Sequence, residues 1–534
     1  MTIGQRIAIL REGRGVSQES LAEALSVSRQ SVSKWETSSS KPSIEKIIML
    51  ARFFGVTIDE LLMGDISTPC KAPDAGEGNR YFGTDGYRGE ANVILTSDKA
   101  YRVGRFLGWY LAREGFGKRP RVVIGKDTRR SSYNLEYSIV AGLTASGADV
   151  YMLHVTTTPS VSYVVRTDGF DAGIMITASH NPYYDNGIKI LNRYGEKLDD
   201  KTTAGIEAYI DARLDALGLH SDIPLATRED IGAIIDYASG RNRYLGYLIS
   251  LASHSYRGLK IGIDAANGSA WQLARQLFSS LGATLTVIGD TPSGVNINEG
   301  VGSTHIDTLV RLVKENHLDL GFSFDGDCDR CIAVDSTGEV VDGDAIMYIL
   351  AKRLKSRGML EGDTVVATVM SNSGLEAAFK SLGITLLRTD VGDRFVYEKI
   401  KECDYSLGGE QSGHIIIKKY ASTGDGLLTA IMLTEELLDR KTTLKDLREG
   451  LVLFPQYSVS VRVLDKALAC SDRRVLECLE GIKKKIGERG RILLRKSGTE
   501  PKVRIMVECE SIEDCRRYAD TLLEKMAECG YGEV

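Results

Sequence analysis

The chain has 534 residues, too many for one hydrophobic core, so several domains are expected. The net charge of −5, with 43% hydrophobic and 26% charged residues, argues against broad affinity of the whole chain for nucleic acid. No apolar stretch is long enough to span a bilayer, and residues 1–6 lack an apolar signal core. The 9 cysteines are scattered and odd in number. These features predict a cytoplasmic protein with reduced thiols and no membrane partner.

Short helical patterns fill the first 65 residues. The second and third are joined by the turn Ser26–Ser28 and form a helix-turn-helix pattern, with Leu21, Val32, Trp35 and Leu50 in its core. The helices are predicted over residues 3–12, 17–25, 28–37, 43–54 and 57–63.

This segment resembles the DNA-binding domain of Cro/cI-type repressors. The resemblance implies a DNA partner, and a homodimer would let two recognition helices meet successive major grooves. The segment holds eight Lys and Arg against eight Asp and Glu, so a module for protein contacts is the alternative. Residues 66–79 are predicted to be a flexible linker. The side chains expected to face the DNA are Gln18, near the backbone, and Arg29, Gln30, Ser33 and Lys34, in the major groove.

Three consecutive regions then alternate strands and helices, which predicts parallel α/β layers built three times on one plan. From about residue 454 the pattern changes to strands flanked by two helices, which predicts an α+β domain. The strands are predicted at 121–125, 149–155, 259–264, 284–288, 364–368, 457–463, 491–494 and 503–508. The helices are predicted at 131–146, 271–281, 374–382, 473–488 and 512–528.

Three carboxylates at alternate positions follow the apolar run Leu318–Phe324, which has the pattern of a buried strand. In an extended segment Asp325, Asp327 and Asp329 would share one face and converge. Bare carboxylates repel one another unless a cation lies among them, and a hard divalent ion such as Mg²⁺ fits an all-oxygen site.

Other interpretations of this loop fit less well. A calcium loop of the EF-hand kind needs Gly at its sixth and Glu at its twelfth position, where the chain has Arg330 and Ser336. Aspartyl-phosphate enzymes also end a strand in spaced aspartates, but they usually have Thr or Val where this chain has Asp329. A solvated acidic turn is disfavoured by the buried strand before it.

Ser179 lies in a polar turn between the apolar run 171–178 and Asn181-Pro182. A Ser-His-acid hydrolase is one alternative. However, the neighbouring His180 is not expected to turn back onto the hydroxyl, and no nucleophile elbow surrounds it. We predict instead that Ser179 carries a phosphoryl group beside the metal.

Two further loops suit a sugar phosphate. In Leu407–His414, Glu410 and Ser412 suit sugar hydroxyls, and the glycines allow close approach of a ligand. In 495–501, with Arg504 just beyond, guanidinium groups, hydroxyls and backbone N–H groups suit a phosphate dianion.

In order and spacing these loops resemble those of the α-D-phosphohexomutases, together with Tyr81–Gly89 and Gly125–Arg129. The resemblance covers roughly residues 80–534. It implies an intramolecular phosphotransferase, an isomerase, acting on a sugar phosphate. Ser179 would donate its phosphoryl group to the sugar, and the resulting bisphosphorylated sugar would turn and return its other phosphate.

The resemblance also implies roles for individual residues. Mg²⁺ would be held by the phosphate on Ser179 with Asp325, Asp327 and Asp329. Lys189 would be the general acid/base, with Arg330 and His180 beside the transferred group. The residues implied in substrate binding are Arg88, Glu410, Ser412, Arg495, Ser497, Gly498, Thr499 and Arg504.

The implied architecture is three similar α/β domains and a C-terminal α+β domain around one cleft, preceded by an all-α helix-turn-helix domain. Gln411, Gly302–His305 and Asp185–Lys189 are most like the branch of the family that acts on amino sugars. Glucose or mannose phosphates, and a regulator that only senses sugar phosphate, are the alternatives. The expected boundaries are 1–65, 66–79, 80–225, 226–358, 359–453 and 454–534.

Two residues depart from the family pattern. Cys328 stands where the family has glycine, and its side chain is expected to crowd the loop or to expose a thiol near the metal. Lys496 replaces a proline in the phosphate loop and adds positive charge. Neither change removes a residue implied in catalysis, so an active enzyme is expected.

Overall fold

The computed structural model describes residues 3–13, 16–25, 27–37, 39–54, 61, 81–83, 85–115, 119–487, 490–496 and 502–532. The chain forms two compact units, Met1–Gly78 and Asn79–Val534. The predicted linker and, apart from Leu61, the fifth predicted helix lie outside the described residues. No helix in the described parts of the chain is both long enough and apolar enough to cross a membrane.

The first unit contains four helices among its described residues, within one or two residues of the predicted bounds. Ser28 begins the third helix because its side chain accepts a hydrogen bond from the Ser31 N–H. The predicted core residues Leu21, Val32, Trp35 and Leu50 are all buried together. The helices are α1 (Ile3–Gly13), α2 (Gln18–Ala24), α3 (Arg29–Glu36) and α4 (Ile44–Phe54).

Among its described residues, the second unit contains three mixed sheets and one antiparallel sheet. The first has the order β1-β2-β6-β5-β3-β4-β7, the second β12-β11-β10-β8-β9 and the third β14-β13-β15-β16. The first sheet's strands are β1 (Phe82–Gly83), β2 (Gly86–Glu90), β3 (Arg121–Lys126), β4 (Asp149–Val155), β5 (Ala172–Ile176), β6 (Asp185–Asn192) and β7 (Ile234–Asp236). Those of the second and third are β8 (Lys260–Asp264), β9 (Thr284–Ile288), β10 (Leu320–Phe324), β11 (Cys331–Asp335), β12 (Val340–Val341), β13 (Thr364–Thr368), β14 (Thr385–Thr389), β15 (Leu407–Gly409) and β16 (Ile415–Ile417).

The three mixed sheets share one plan. In each, a central strand pairs in parallel on one side and in antiparallel fashion on the other. Thus β5 lies between β3 and β6, β10 between β8 and β11, and β15 between β13 and β16. The turn after this central strand is the turn of an antiparallel hairpin, and the three turns carry Ser179, Asp325 and Glu410. The predicted threefold repeat is confirmed.

The helices of the second unit flank these sheets and join their strands. They are α5 (Ser97–Arg113), α6 (Arg130–Ala145), α7 (Thr158–Asp168), α8 (Asp200–Ile210), α9 (Ala238–Leu251), α10 (Trp271–Ser280), α11 (Asp307–Glu315), α12 (Gly343–Ser356), α13 (Ser373–Ser381), α14 (Asp393–Cys403), α15 (Gly426–Arg440), α16 (Leu444–Leu447), α17 (Lys466–Ser471), α18 (Arg473–Ile486) and α19 (Ile512–Glu528).

The last sheet is antiparallel, with the order β17-β19-β18, and packs with α18 and α19 around a core of its own. This confirms the predicted α+β domain. It is joined to the third sheet's domain by polar contacts, such as Arg491 Nη1 to the Val369 carbonyl at 2.8 Å. Its strands are β17 (Gln456–Arg462), β18 (Arg491–Lys496) and β19 (Lys502–Glu508).

Candidate functional site

The first two hairpin turns meet at Ser179. Its side chain is buried, and its Oγ donates a hydrogen bond to Asp325 of the second hairpin. Ser179 has φ +51°, a left-handed conformation that is costly for a residue with a side chain. The Ser179 N–H is held by Thr177 Oγ1 at 2.9 Å. The serine proposed as phosphoryl carrier therefore lies directly against the carboxylate loop.

His180 departs from the expectation that it would not reach its neighbour. Its Nδ1 lies 3.3 Å from Ser179 Oγ, because the left-handed backbone at Ser179 brings the two side chains to the same side. Burial, together with Arg330 and Arg88, lowers the pKa of His180 to about 4, so the ring is neutral at pH 7. The hydroxyl proton has a carboxylate acceptor in Asp325, which distinguishes the arrangement from a serine hydrolase.

The three aspartates converge, but not by the predicted geometry. Residues 325–330 form a tight turn rather than an extended segment, with the Cys328 N–H bonded to the Asp325 carbonyl at 3.1 Å. One carboxylate oxygen from each of Asp325, Asp327 and Asp329 lies within 4.8 Å of the others, and all three residues are buried. The predicted convergence of the three acids is therefore confirmed, but it comes from a tight turn and not from an extended segment.

The acidic cluster fits a divalent cation. Burial, and then the charges of Asp329 and Asp327, hold the pKa of Asp325 well above its usual range. One oxygen each of Asp327 and Asp329 is buried without a hydrogen-bond partner among the described residues. Unsatisfied buried carboxylate oxygens are costly, and a hard cation with oxygen preference would satisfy them.

Lys189 lies on β6, in the strand that follows the Ser179 turn. Its Nζ is 2.7 Å from Asp327 Oδ2 and 3.0 Å from Asp329 Oδ2. Burial disfavours its charge, but these carboxylates hold the pKa of Lys189 above its ordinary value. Burial likewise opposes the charge on Asp329, yet Lys189 and His414 hold its pKa well below the usual range. Lys189 is therefore an ammonium group within the acidic cluster.

Two arginines lie beside the Ser179 turn. Arg330 follows the aspartates, and its backbone N–H donates to Asp325 Oδ1 at 3.2 Å. Arg88 bonds Asp85 Oδ2 at 2.7 Å and approaches Asn181 Oδ1 at 3.3 Å. The Arg88 side chain thus reaches the serine loop, and the charges of both arginines act on His180 in that loop.

The third hairpin contributes the predicted sugar loop. Glu410 is held by the Gly392 N–H at 3.2 Å, and burial raises the pKa of its carboxyl group. Ser412 is exposed. The Gln411 side chain donates a hydrogen bond to Asp342 Oδ2 at 3.4 Å. Asp342 lies at the start of α12, so this bond links the sugar loop to that helix.

His414 of the same loop was not predicted to have a role. Its Nδ1 is 3.7 Å from Asp329 Oδ1, and its Nε2 accepts the Gly424 N–H at 3.0 Å. Burial opposes its charge, while Asp329 and Asp393 raise the pKa of His414 to about 9. The bond from Gly424 instead requires a neutral ring with a free pair on Nε2. A ring that accepts this bond at Nε2 carries its proton on Nδ1, the nitrogen that faces Asp329.

The phosphate-binding region is described only in part. Arg495 on β18 pairs directly opposite Arg504 on β19. Like charges at such positions repel, and burial together with Arg504 lowers the pKa of Arg495, as expected where an anion binds. Lys496 ends β18 with an exposed side chain. The predicted Ser497, Gly498 and Thr499 lie outside the described residues.

Cys328 does not expose a thiol. It is fully buried within the apolar core of the second and third sheets, and burial raises the pKa of its thiol well above the usual range. Its φ of +59° explains why glycine is the ordinary residue at this place in the turn. Of the two possibilities named for Cys328, an exposed thiol near the metal is therefore wrong.

The first unit presents the predicted face of α3. Arg29, Gln30 and Lys34 are exposed and Ser33 is partly exposed, while Val32 and Trp35 point into the core. Gln18 at the start of α2 donates to Glu36 at 2.7 Å.

These folds and loops define a phosphohexomutase with an added helix-turn-helix unit. Models of the phosphoglucomutase/phosphomannomutase family match residues 79–216, 242–338 and 342–453 as its alpha/beta/alpha domains I, II and III. The family's C-terminal domain matches 459–525, and a helix-turn-helix model matches 7–61. The chain belongs to the phosphoglucomutase/phosphomannomutase family and is an intramolecular phosphotransferase.

Relatives refine this assignment. The chain is 55% identical over 452 residues to the phosphoglucosamine mutase of Lachnospira eligens, covering 85% of this chain and 99% of the relative. Identity to the phosphoglucosamine mutase of Lachnoclostridium phytofermentans is 51% with the same coverage.

Among solved structures, a family protein of Burkholderia thailandensis has a TM-score of 0.70 and 25% identity, over 85% of this chain and 98% of that one. The N-acetylphosphoglucosamine mutase of Aspergillus fumigatus, in complex with GlcNAc-6P and magnesium, has a TM-score of 0.59 and 17% identity. The match covers 84% of this chain and 96% of that one, and the two proteins share the fold.

Proposed function

We propose that the chain interconverts glucosamine 6-phosphate and glucosamine 1-phosphate through a phosphorylated Ser179 and a bisphosphorylated sugar. The observation that carries this proposal is the contact of Ser179 Oγ with the buried carboxylate cluster. The choice of an amino sugar is supported by the identity of 55% to a phosphoglucosamine mutase over nearly its whole length.

In the proposed transfer, the bond between phosphorus and Ser179 Oγ breaks as phosphorus bonds to a sugar hydroxyl oxygen. The Lys189 ammonium would donate a proton to Ser179 Oγ, and the amine that remains would take up the proton of the sugar hydroxyl, so the lysine ends the transfer protonated as it began. Asp325, Asp327, Asp329 and the phosphate on Ser179 would hold Mg²⁺, which neutralises charge on the moving phosphoryl group.

The substrate is bound at both ends in this proposal. Glu410 and Ser412 would bind hydroxyl groups that are alike in both orientations of the sugar. Arg495 and Arg504, with the 497–499 loop, would hold the phosphate that is not reacting, and Arg88 and Arg330 the one that is. Such a site accepts the bisphosphorylated sugar in either direction.

The test is a comparison of kcat/KM for glucosamine, glucose and mannose 6-phosphates with Mg²⁺ present. A preference for glucosamine 6-phosphate of at least about tenfold, or 1.4 kcal/mol, is expected. Equal or reversed values would move the assignment to glucose or mannose phosphates. Absence of turnover with all three would favour a sugar-phosphate-sensing regulator.

We also propose that the first unit binds DNA through α3. The proposal is supported by the helix-turn-helix match and by the exposed face of Arg29, Gln30 and Lys34. Because the unit has balanced charge, one copy would neutralise few phosphates and bind weakly. Two copies in a homodimer would place recognition helices about 34 Å apart on a roughly palindromic site.

Selection of sites from a random DNA pool with the full-length protein tests this proposal. The double variant Arg29→Ala, Gln30→Ala should lose the selected site while keeping mutase activity. Lys41→Ala, which removes an exposed cation outside α3, is the matched control. If no sequence is enriched at low salt, the unit contacts protein instead.

A further inference from the structure

The backbone of Ser179 is held from two domains at once. The Ser179 carbonyl accepts hydrogen bonds from Arg129 Nη2 at 3.1 Å and from Asn298 Nδ2 at 2.9 Å. The same two groups also bind the carbonyl of Asn181, at 2.6 Å and 3.0 Å. Arg129 follows β3 of the first sheet, whereas Asn298 lies between β9 and α11 of the second.

These hydrogen bonds leave the backbone of Ser179 little conformational freedom. Its N–H is bound by Thr177 and its carbonyl by Arg129 and Asn298, so both peptide groups that flank its Cα are fixed. Only rotation about the Cα–Cβ bond remains to direct Oγ. A left-handed residue of this kind persists only where its surroundings hold it.

The metal loop contacts the same carbonyl. A Cβ on Gly326 would lie 2.4 Å from the Ser179 carbonyl oxygen and 3.2 Å from Asn298 Nδ2. The glycine between the first two aspartates is therefore required by the close approach of the serine turn. Asn298 lies where the two turns meet and bonds one of them.

We infer that Asn298 is a positioning residue for phosphoryl transfer, which fixes Ser179 across the domain boundary so that Oγ faces the three aspartates. This inference rests on the proposed role of Ser179 as phosphoryl carrier. Asn298 does not touch the reacting atoms but acts through the Ser179 carbonyl. Its partner Arg129 has the further task of pairing with Asp127 inside the first domain, so Asn298 is the cleaner target.

The variants follow from the backbone at residue 298. Because φ is +60° there, alanine would add strain of its own, whereas glycine deletes the side chain without strain. Asn298→Asp keeps the shape but puts an acceptor against two carbonyl oxygens. The matched control is Asn296→Ala, which removes hydrogen bonds to Ser293 and Thr291 of the same loop and none to Ser179.

The measurements are single-turnover transfer and steady-state kinetics, both with full-length enzyme whose phosphorylated Ser179 fraction is counted by mass spectrometry. Misplacement of a reacting group by about 1 Å can cost about 10²-fold, so Asn298→Gly should lower kcat per phosphoenzyme by about 10- to 100-fold. KM should stay within about threefold, because no substrate contact is lost. Asn298→Asp should be slower still, and Asn296→Ala should stay within about twofold of the wild type.

Two results would overturn the inference while leaving the proposed function intact. One is Asn298→Gly within about twofold of the wild type while Ser179→Ala is inactive. The other is a loss that disappears once the rate is corrected for the folded fraction, which would show a merely structural role. A Ser179→Ala enzyme that still turns over would overturn the proposed function as well.

Discussion

The turns that carry Ser179 and Asp325 occupy the same place in two sheets of one plan, yet they are held in different ways. Each contains a left-handed residue, Ser179 with φ +51° and Cys328 with φ +59°. In the first turn this is the residue proposed for chemistry, and polar groups from two domains hold it. In the second it is buried in the apolar core, while the carboxylates converge on the other side of the turn. A shared fold thus fixes where a turn lies, and the side chains around it decide which atom it presents.

Removing the carrier should break the first turn's function most completely. Ser179→Ala is expected to lower kcat by more than about 10³-fold, because the hydroxyl proposed to carry the phosphoryl group is removed. Binding of the sugar phosphate, measured by calorimetry, should remain near the wild-type value. Turnover within tenfold of the wild type would contradict the proposed mechanism.

Neutralising one carboxylate of the second turn should have the next largest effect. Asp327→Asn should lower kcat and Mg²⁺ affinity together, by at least the roughly 10- to 100-fold that outer partners of metal sites contribute. Metal dependence of the rate measures both. Asp319→Asn, an exposed acid at the other end of β10, is the control and should change neither. Loss of kcat with unchanged Mg²⁺ affinity would remove Asp327 from the proposed metal site.

A change outside both turns should separate binding from chemistry. Arg495→Ala is expected to raise KM roughly 10- to 100-fold, the effect of losing a charged hydrogen bond to phosphate, with a smaller change in kcat. Steady-state kinetics measures the split, and Arg473→Ala on α18 is an exposed control. Unchanged KM would remove Arg495 from the phosphate site.

The smallest effect is expected at Cys328. Because its thiol is fully buried, a thiol-specific alkylating reagent should leave it unmodified in the folded enzyme, and activity should be unchanged. Peptide mapping after brief treatment tests this, with the partly exposed Cys470 and Cys478 as internal controls. Alkylation of Cys328 with loss of activity would show that the second turn opens.

Much of the fold could be predicted from local pattern. The segments at 149–155, 284–288 and 364–368 became strands with these bounds. The reason is clearest for 364–368, since all five residues of this parallel strand are buried and such strands are continuous apolar segments. The hairpin partners β6, β11 and β16 were not predicted, since β11 and β16 follow their turns closely and β6 contains the buried Lys189.

Site residues could be predicted where the residue type itself supplies the chemistry. They could not be predicted where a residue only holds another group in place. The aspartates stand out by type and spacing and Ser179 by its place in a polar turn, whereas Lys189 was implied by the family resemblance; the structure brings all of them together. Asn298 lies far from Ser179 in sequence in an ordinary polar loop, and only the folded chain shows its contact. The burial of the Cys328 side chain likewise depends on the core that surrounds it.

The most direct test of the central claim follows the phosphate itself. Full-length enzyme phosphorylated on Ser179 is mixed with glucosamine 6-phosphate and Mg²⁺, and the phosphate on Ser179 and the bisphosphorylated sugar are both measured over time. The account predicts that phosphate leaves Ser179 at the rate at which bisphosphorylated sugar appears, and fast enough to support kcat. Turnover while the phosphate stays on Ser179 would contradict it.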